Sequence, residues 1–405
     1  MNDTGLNATP QANRVHIGFF GLRNTGKSSL LNAIAGQDLA IVSEIKGTTT
    51  DPVFKAMELL PLGPVVIIDT PGIDDEGELG AERVRRAKRV MNRIDAAVLV
   101  TTAGTTATAA EEELVQIFKE KNIPCLLVRN KSDLLNAPEP PDTGTEIYVS
   151  AKTGHKIKAL KEKIAAIIPA GRETLRIVGD LISPSDTVIL VIPIDKAAPK
   201  GRLILPQQQT IRDILEADAS ALIVKEHELK YALENLIKKP RLVITDSQVF
   251  AKVSADVAPD IPLTSFSILF ARYKGCLDPA VRGVKQLDKI KDGDKILICE
   301  GCSHHRQCDD IGTVKIPRWI REYTGKTPDF SFTAGSDFPA DLTPFKLIIH
   351  CGACMLNERE MRFREKSAED QHIPMTNYGI LIAQIQGILK RSVSLFPHIL
   401  MELED

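Results

Sequence analysis

Short apolar runs alternate with segments of helical periodicity along most of the chain. The runs at 15–20 (VHIGFF), 64–69 (PVVIID) and 124–128 (PCLLV) each lead into a loop of polar, glycine or proline residues, whereas SLLNAIAG at 29–36 has helical spacing. Short apolar runs bounded by turn residues favour buried strands. The alternation predicts an α/β protein built from layers of strands and helices.

The pattern changes after IAAIIPAGRETLR at 164–176, and DTVILVIPID at 186–195 starts a new strand. The segment that follows has neither a nucleophile paired with a base nor a glycine-rich loop, which favours interaction or dimerisation over catalysis. The change marks a boundary after the first third of the chain, and 405 residues would typically form two to four domains.

The composition of the chain limits which partners and which cellular location are expected. The 51 basic and 53 acidic residues give no overall charge that would attract nucleic acid or an anionic membrane. The polar N-terminus and the lack of an apolar run near ~18 residues predict a cytoplasmic protein without a membrane span. In that reducing compartment, the seven cysteines are expected to be metal ligands or redox thiols, not disulfides.

A phosphate-binding loop follows the first apolar run. In GLRNTGKS, Gly21 and Gly26 would let the backbone wrap a polyphosphate, Lys27 would reach its outer phosphates, and Ser28 would ligate Mg²⁺. Asp69, at the end of PVVIID, would hold Mg²⁺ through water. Gly72 would offer its amide to a γ-phosphate.

Two later loops resemble the guanine-recognition motifs of translation-factor-type GTPases. NKSD ends one apolar run, and SAK ends another. The resemblance implies that the carboxylate of Asp133 accepts both N–H groups of guanine, which specifies GTP and GDP. It places the nucleotide against one set of residues: Gly21, Asn24, Thr25, Gly26, Lys27, Ser28, Ser29, Thr49, Asp69, Gly72, Asn130, Lys131, Asp133, Ser150, Ala151 and Lys152.

Within that class, KGTTTD at 46–51 resembles switch I of the Era and MnmE branch. Thr49 aligns with the threonine that completes the Mg²⁺ shell, with Thr48 as the alternative, and Asn24 aligns with an asparagine that holds K⁺ in potassium-stimulated members. Ile73 stands where Ras-like proteins have a glutamine that positions water. We expect slow, K⁺-stimulated hydrolysis, with Lys27, Thr49 and Gly72 as the catalytic residues.

The basic run ERVRRAKRVMNRID at 82–95 invites an RNA-binding interpretation. However, Val84, Ala87, Met91 and Ile94 recur at helical spacing. The basic residues are therefore expected on the solvated face of a helix, and no nucleic-acid partner is predicted.

Two cysteine-rich loops each follow a lysine-led apolar run. KILI precedes CEGCSHHRQC at 299–308, and KLII precedes HCGAC at 350–354. If the two strands lie parallel in one sheet, their carboxyl ends bring the loops together. The candidate ligands are Cys302, His304, His350, Cys351 and Cys354.

The chemistry of these residues alone does not decide which metal would bind. Four thiolates that include Cys299 would suit Zn²⁺. If the alternation of side chains along the strand points Cys299 into the core, three cysteine thiolates remain. Three thiolates suit a cubane cluster with one iron open to an exchangeable ligand. Reduced cysteines without metal are the third alternative.

The spacing Cys302-x-His304, about 45 residues, then His350-Cys351-x-x-Cys354 resembles the CxH…HCxxC signature of the HydF family of [FeFe]-hydrogenase maturation GTPases. The likeness extends to the segments 193–215, 263–275 and 374–391. It implies three domains after a flexible tail at 1–13. They are a P-loop GTPase domain at 14–172, a small α/β dimerisation domain at 180–262 and an α/β domain at 265–405 that binds a [4Fe-4S] cluster through the three cysteines. His304, His350 or solvent would be the fourth ligand. Cys299, His305 and Cys308 lie outside the signature, and their roles are not assigned.

The resemblance also implies a role and partners. The chain would be a homodimer or tetramer that carries a di-iron precursor, made with two radical-SAM maturases, to apo-[FeFe]-hydrogenase, with GTP as the switch. One alternative is a ribosome- or tRNA-directed GTPase with a C-terminal zinc module. Another is a redox-sensing GTPase.

Overall fold

The computed structural model describes residues 11–36, 52–71, 89–168, 176–194, 203–301, 310–335 and 337–404. The chain divides into two compact units, Met1–Arg172 and Glu173–Asp405. Several residues singled out above lie outside the described residues: Thr48, Thr49, Gly72, Ile73, Cys302, His304, His305 and Cys308.

The first unit contains a six-stranded sheet in the order β2-β3-β1-β4-β5-β6. Strand β2 is antiparallel to β3, and the other neighbours are parallel. The strands are β1 (Val15–Phe20), β2 (Val53–Leu59), β3 (Gly63–Asp69), β4 (Ala96–Thr102), β5 (Cys125–Asn130) and β6 (Glu146–Tyr148).

Helices cover both faces of this sheet, as the uninterrupted apolar strands require. They are α1 (Lys27–Ala35), α2 (Ala109–Glu120) and α3 (Ile157–Ile167). Phe19 packs in the cluster that contains Leu30 and Ile34 of α1, whereas Phe20 packs on the other face against Phe118 of α2. A capping box between Thr108 and Glu111 begins α2.

The end of the basic run packs as predicted where it is described. Met91 and Ile94 are 1% and 0% exposed and belong to the core cluster of Phe20. Val84 and Ala87 lie outside the described residues.

The second unit begins with a four-stranded parallel sheet in the order β10-β9-β7-β8. Its first strand starts at Thr187, close to the position predicted from the apolar pattern. The elements are β7 (Thr187–Val191), α4 (Leu205–Glu216), β8 (Ser220–Val224), α5 (Leu229–Asn235), β9 (Leu242–Thr245), α6 (Phe250–Asp256) and β10 (Leu263–Ser265).

A second four-stranded parallel sheet follows, in the order β12-β11-β13-β14. Its strands are β11 (Lys295–Glu300), β12 (Asp329–Ala334), β13 (Leu347–His350) and β14 (Met375–Asn377). The helices of this part are α7 (Phe266–Tyr273), α8 (Leu277–Val284), α9 (Ile316–Thr324), α10 (Glu358–Asp370), α11 (Tyr378–Ile385), α12 (Leu389–Ser392) and α13 (Pro397–Glu404).

One hydrophobic core joins the two sheets of the second unit. It contains residues of β7, β9, β11 and β13, together with Leu269 of α7 and Leu381 of α11. The sheet that carries the cysteine loops is therefore fixed to the sheet before it. Among the described helices, none is long and apolar enough to cross a membrane.

Candidate functional site

The phosphate-binding loop lies between β1 and α1, as its sequence predicts. Gly26 has φ +82°, and a Cβ there would lie 2.4 Å from Asn130 Nδ2. A Cβ on Gly21 would lie 2.4 Å from the carbonyl oxygen of Val100. Both positions therefore require glycine, because the loop passes this close to β4 and to the end of β5.

Lys27 begins α1 and reaches the end of β3. Its Nζ lies 3.3 Å from Asp69 Oδ1 and donates a hydrogen bond to the Thr70 carbonyl. Asp69 Oδ1 is buried and accepts no hydrogen bond from the described residues. A buried carboxylate oxygen beside an ammonium fits the predicted use of this pair, in which the lysine faces phosphate and the aspartate accepts from Mg²⁺-bound water.

Asn130, at the end of β5, joins three loops. Its Nδ2 donates to the Thr25 carbonyl at 2.9 Å, and its Oδ1 accepts from Ala151 N at 3.1 Å. Lys131 has left-handed backbone geometry, with φ 62°, and its Nζ donates to the Asn24 carbonyl. The phosphate loop, the NKSD loop and the SAK loop thus meet around one side chain.

Other predicted nucleotide residues that the structure describes lie at the same edge. Ser150 Oγ donates to Asp133 Oδ1 at 2.6 Å, which orients the carboxylate expected to read guanine. Ser28 and Ser29 are exposed in the first turn of α1, and Lys152 is exposed beyond Ser150. The carboxyl ends of parallel strands form this edge, which is where nucleotides bind in such sheets.

The two strands that lead into the cysteine segments are neighbours in one sheet, the condition set in the sequence analysis. Strands β11 and β13 are adjacent and parallel, with Cys299 opposite His350. Cys351 Sγ accepts from Gly301 N at 3.0 Å and from Ala353 N at 3.4 Å. The residue that precedes Cys302 therefore touches the first cysteine of HCGAC.

Burial disfavours the thiolate form of the two HCGAC cysteines. Burial raises the pKa of Cys351 to about 11, against the opposing effect of the Gly301 and Ala353 amides. Burial also raises the pKa of Cys354, while the Lys274 ammonium acts in the opposite direction. A metal would supply the missing positive charge, and amide hydrogen bonds to sulfur are typical of iron–sulfur sites.

Cys299 is a core thiol, as its position at the end of the strand indicated. It is 0% exposed and packs with Leu297 and Leu342, on the face of the sheet opposite Ile298. Thr333 Oγ1 donates to its sulfur at 3.3 Å. Its side chain belongs to the packing of the sheet.

His350 is buried, and both of its ring nitrogens are engaged. Nδ1 lies 2.9 Å from the Cys351 carbonyl, and Nε2 lies 2.9 Å from Arg364 Nη1. Because arginine only donates, Nε2 is the acceptor and Nδ1 carries the proton. Burial, with the Arg364 charge, lowers the pKa of His350 to about 3, so the ring is neutral.

Sequence reasoning missed Arg364 and Glu360 of α10, which form a fully buried ion pair at 2.9 Å. Arg364 Nη2 also donates to the Gly335 carbonyl at 2.7 Å, just after β12. Met361, Arg364 and Ala368 recur at helical spacing on one face of α10, but this spacing does not show that the arginine on that face is buried. Lys274, inside the segment 263–275, was also missed.

Of the predicted cluster residues, His350, Cys351 and Cys354 belong to the described part of the chain, and Cys302 and His304 do not. Within that part, no group of three or more His, Cys, Asp or Glu side chains is placed to hold a metal ion.

The phosphate loop, the strand order and the loops at the sheet edge define a P-loop GTPase unit followed by an α/β unit with two parallel sheets. Three family models match the chain: a 50S ribosome-binding GTPase at 16–131, the hydrogen maturase F dimerization domain at 177–275 and the hydrogen maturase F tetramerization domain at 278–395. The two maturase models together span more than half of the sequence, and the chain belongs to the HydF family of hydrogen maturases.

The curated relatives that match the GTPase unit include tRNA modification GTPases of two bacteria. The chain is 40% identical over 148 residues to the tRNA modification GTPase MnmE of Methylococcus capsulatus, covering 36% of this chain and 32% of the relative. It is 37% identical over 145 residues to MnmE of Nitrosomonas eutropha, covering 35% of this chain and 32% of the relative. The match thus spans about a third of the length of these relatives, and a tRNA-directed role of the whole chain gains no support from it.

Solved structures with matching folds include a probable GTP-binding protein engB, with 24% identity, a TM-score of 0.31 and coverage of 38% of this chain and 98% of that one. Another is Aquifex aeolicus Era bound to GDP.AlF4-, with 21% identity, a TM-score of 0.33 and coverage of 52% and 92%.

The family assignment confirms the resemblance, the α/β fold class and the GTPase activity expected from the sequence. The match to the GTPase model supports GTP hydrolysis and binding of GTP, GDP and Mg²⁺. The dimerization and tetramerization domains of the chain support oligomer formation.

Proposed function

We propose that this GTPase is a scaffold or carrier that binds a [4Fe-4S] cluster through Cys302, Cys351 and Cys354 and delivers a di-iron precursor to apo-[FeFe]-hydrogenase. One observation carries the proposal. Gly301 N donates to Cys351 Sγ at 3.0 Å, so the loop that begins with Cys302 starts beside HCGAC. Three soft ligands from two adjacent strand ends suit a cubane with one iron open.

The fourth ligand is proposed to be His304 or solvent. His350 was the other histidine expected from the sequence, but its Nε2 accepts from Arg364 and its Nδ1 donates to the Cys351 carbonyl. An exchangeable fourth position would supply the site at which a second iron unit docks. The protein's contribution is to hold the two loops in register at the end of β11 and β13.

The nucleotide is proposed to act as a switch on partner exchange. Ser28, Thr49 and Asp69 would hold Mg²⁺, and Asn24 would hold K⁺ against the phosphates. Lys27, Thr49 and Gly72 would act on the outer phosphate. Binding of GTP or GDP would then select between the two radical-SAM maturases and the apo-hydrogenase as partners.

The proposed organisation follows the predicted boundaries: a tail at 1–13, the GTPase domain at 14–172, the dimerisation domain at 180–262 and the cluster domain at 265–405. A homodimer or a tetramer in the cytoplasm is the proposed assembly. The matches to the two oligomerization domains support it.

Anaerobic reconstitution with iron and sulfide, followed by metal analysis and an absorption spectrum, tests the proposal. The wild type should turn brown and hold about four iron atoms per chain. Cys351→Ser should lose most of the iron, whereas Cys299→Ala, a matched change in the buried thiol of β11, should keep it. A colourless wild type with one zinc per chain would instead favour the ribosome- or tRNA-directed GTPase.

A further inference from the structure

Lys274 is a buried cation beneath the HCGAC loop. It directly follows α7, is 4% exposed, and donates from Nζ to the Leu356 carbonyl at 2.6 Å. Leu356 lies two residues after Cys354, so this hydrogen bond holds the end of the cysteine loop. An ammonium is rarely buried this far unless it compensates negative charge.

Lys274 lines a small cavity of about 30 Å³ together with residues of the cysteine loop. His350, Cys351 and Ala353 line one side, and Cys276 and Glu365 line another. Most of the lining is apolar. Because the local dielectric constant is low in such surroundings, a fixed charge acts strongly on charged groups nearby.

The charge acts on a thiol that lines the cavity. Burial raises the pKa of Cys276, and the Lys274 ammonium acts in the opposite direction. Other charges surround the same space, since Glu365 contacts Cys276 and Arg362 lies near it on α10. The hydrogen bond from Lys274 to the Leu356 carbonyl fixes the position of its ammonium two residues after Cys354.

We propose that Lys274 is a positioning residue for the iron–sulfur site, which sets the electrostatic potential at the HCGAC loop and stabilises the reduced cluster. The inference rests on the proposed function above. Each cysteine thiolate adds one negative charge to the site, and one-electron reduction adds another. A nearby buried cation therefore stabilises the reduced form more than the oxidised form.

The test separates the charge of Lys274 from its hydrogen bond. Lys274→Gln keeps a donor for the Leu356 carbonyl and removes the charge, whereas Lys274→Arg keeps the charge. Each full-length variant is reconstituted anaerobically, its iron is counted, and its midpoint potential is measured by redox titration. Lys346→Met is the control, because Lys346 is exposed just before β13, about 13 Å along the strand from His350.

We expect the midpoint potential of Lys274→Gln to shift to more negative values, with Lys274→Arg close to the wild type and Lys346→Met unchanged. Iron loss to a chelator should be faster for reduced Lys274→Gln than for the reduced wild type. The inference is overturned if the cluster-loaded fraction of Lys274→Gln has the wild-type midpoint potential. This holds even if the variant binds less iron, because lower iron content alone would mean only that Lys274 supports the structure of the site. A wild type that takes up no iron overturns the proposed function itself.

Discussion

The guanidinium of Arg364 donates from Nη1 to His350 Nε2 over 2.9 Å, and both side chains are 0% exposed. Arg364 is paired on its other side with Glu360 and also reaches the Gly335 carbonyl. Helix α10 is thereby tied to the ends of β12 and β13. The cysteine loop starts at the residue after His350, so this network fixes where the loop leaves the sheet.

Arg364→Met should destabilise the second unit because it leaves the Glu360 carboxylate buried without its cation. Breaking a buried pair on one side typically costs about 3–5 kcal/mol. The double variant Arg364→Met and Glu360→Met should recover most of that loss, because no charge is left buried. Unfolding in urea can be followed by the fluorescence of Trp319, the single tryptophan, which packs on the core of this unit. Equal losses in the single and double variants would contradict a role for the pair.

His350 should make the metal-free second unit sensitive to acid. Burial lowers its folded pKa to about 3, below the ordinary value of 6.5, so its contribution to stability is fully present above pH 6.5 and is lost as pH falls toward 3. Relative to His350→Gln, the wild type should therefore lose about 2 kcal/mol of unfolding free energy between pH 7 and pH 5. The measurement is urea unfolding by Trp319 fluorescence with a chelator present. His398→Gln, which removes an exposed histidine, is the control.

The spacing of apolar residues along the chain predicted the fold class and the strands that position much of the site. The apolar runs KILI and KLII predicted two strands, and the structure shows that these strands, β11 and β13, are parallel neighbours. Alternation along β11 allowed a core position for Cys299, which the structure shows. The phosphate loop could be read directly, because its glycines are required by close backbone approach. These features depend on local sequence and on the geometry of one sheet.

The partners of His350 could not be read in the same way. The segment EREMRFREK has so many charges that it is typical of a solvated helix, yet Arg364 within it is fully buried. Its burial depends on Glu360 one turn earlier and on an imidazole brought close by the sheet. The packing of α10 against the strand ends places Arg364 where it donates a hydrogen bond to Nε2 of His350. The sequence alone had left His350 as a possible cluster ligand.

Lys27→Ala should abolish GTP hydrolysis while leaving the iron content unchanged. Lys27 Nζ lies 3.3 Å from Asp69 Oδ1 at the edge where the outer phosphates are expected, and loss of such a charge lowers turnover by at least about a hundredfold. Phosphate release and iron content are measured on the same preparation, with the exposed Lys158→Ala as control. Loss of iron in Lys27→Ala would refute the separation of the two sites.

Asn24 allows a test of potassium dependence without disturbing the loop. Its backbone has φ 60°, and its carbonyl accepts from Lys131, so Asn24→Gly keeps the conformation and this hydrogen bond while removing only the side-chain amide. Phosphate release should be faster in KCl than in NaCl of equal ionic strength for the wild type.

The same assay on the variants shows whether the amide is responsible. Most of the potassium stimulation should vanish in Asn24→Gly. The stimulation should persist in Asn122→Gly, which makes the same chemical change away from the phosphate loop. Asn122 is exposed beyond α2 and has φ 50°. Equal wild-type rates in the two salts would show that Asn24 does not use K⁺. Potassium stimulation that survives in Asn24→Gly would place the cation on other oxygens of the loop.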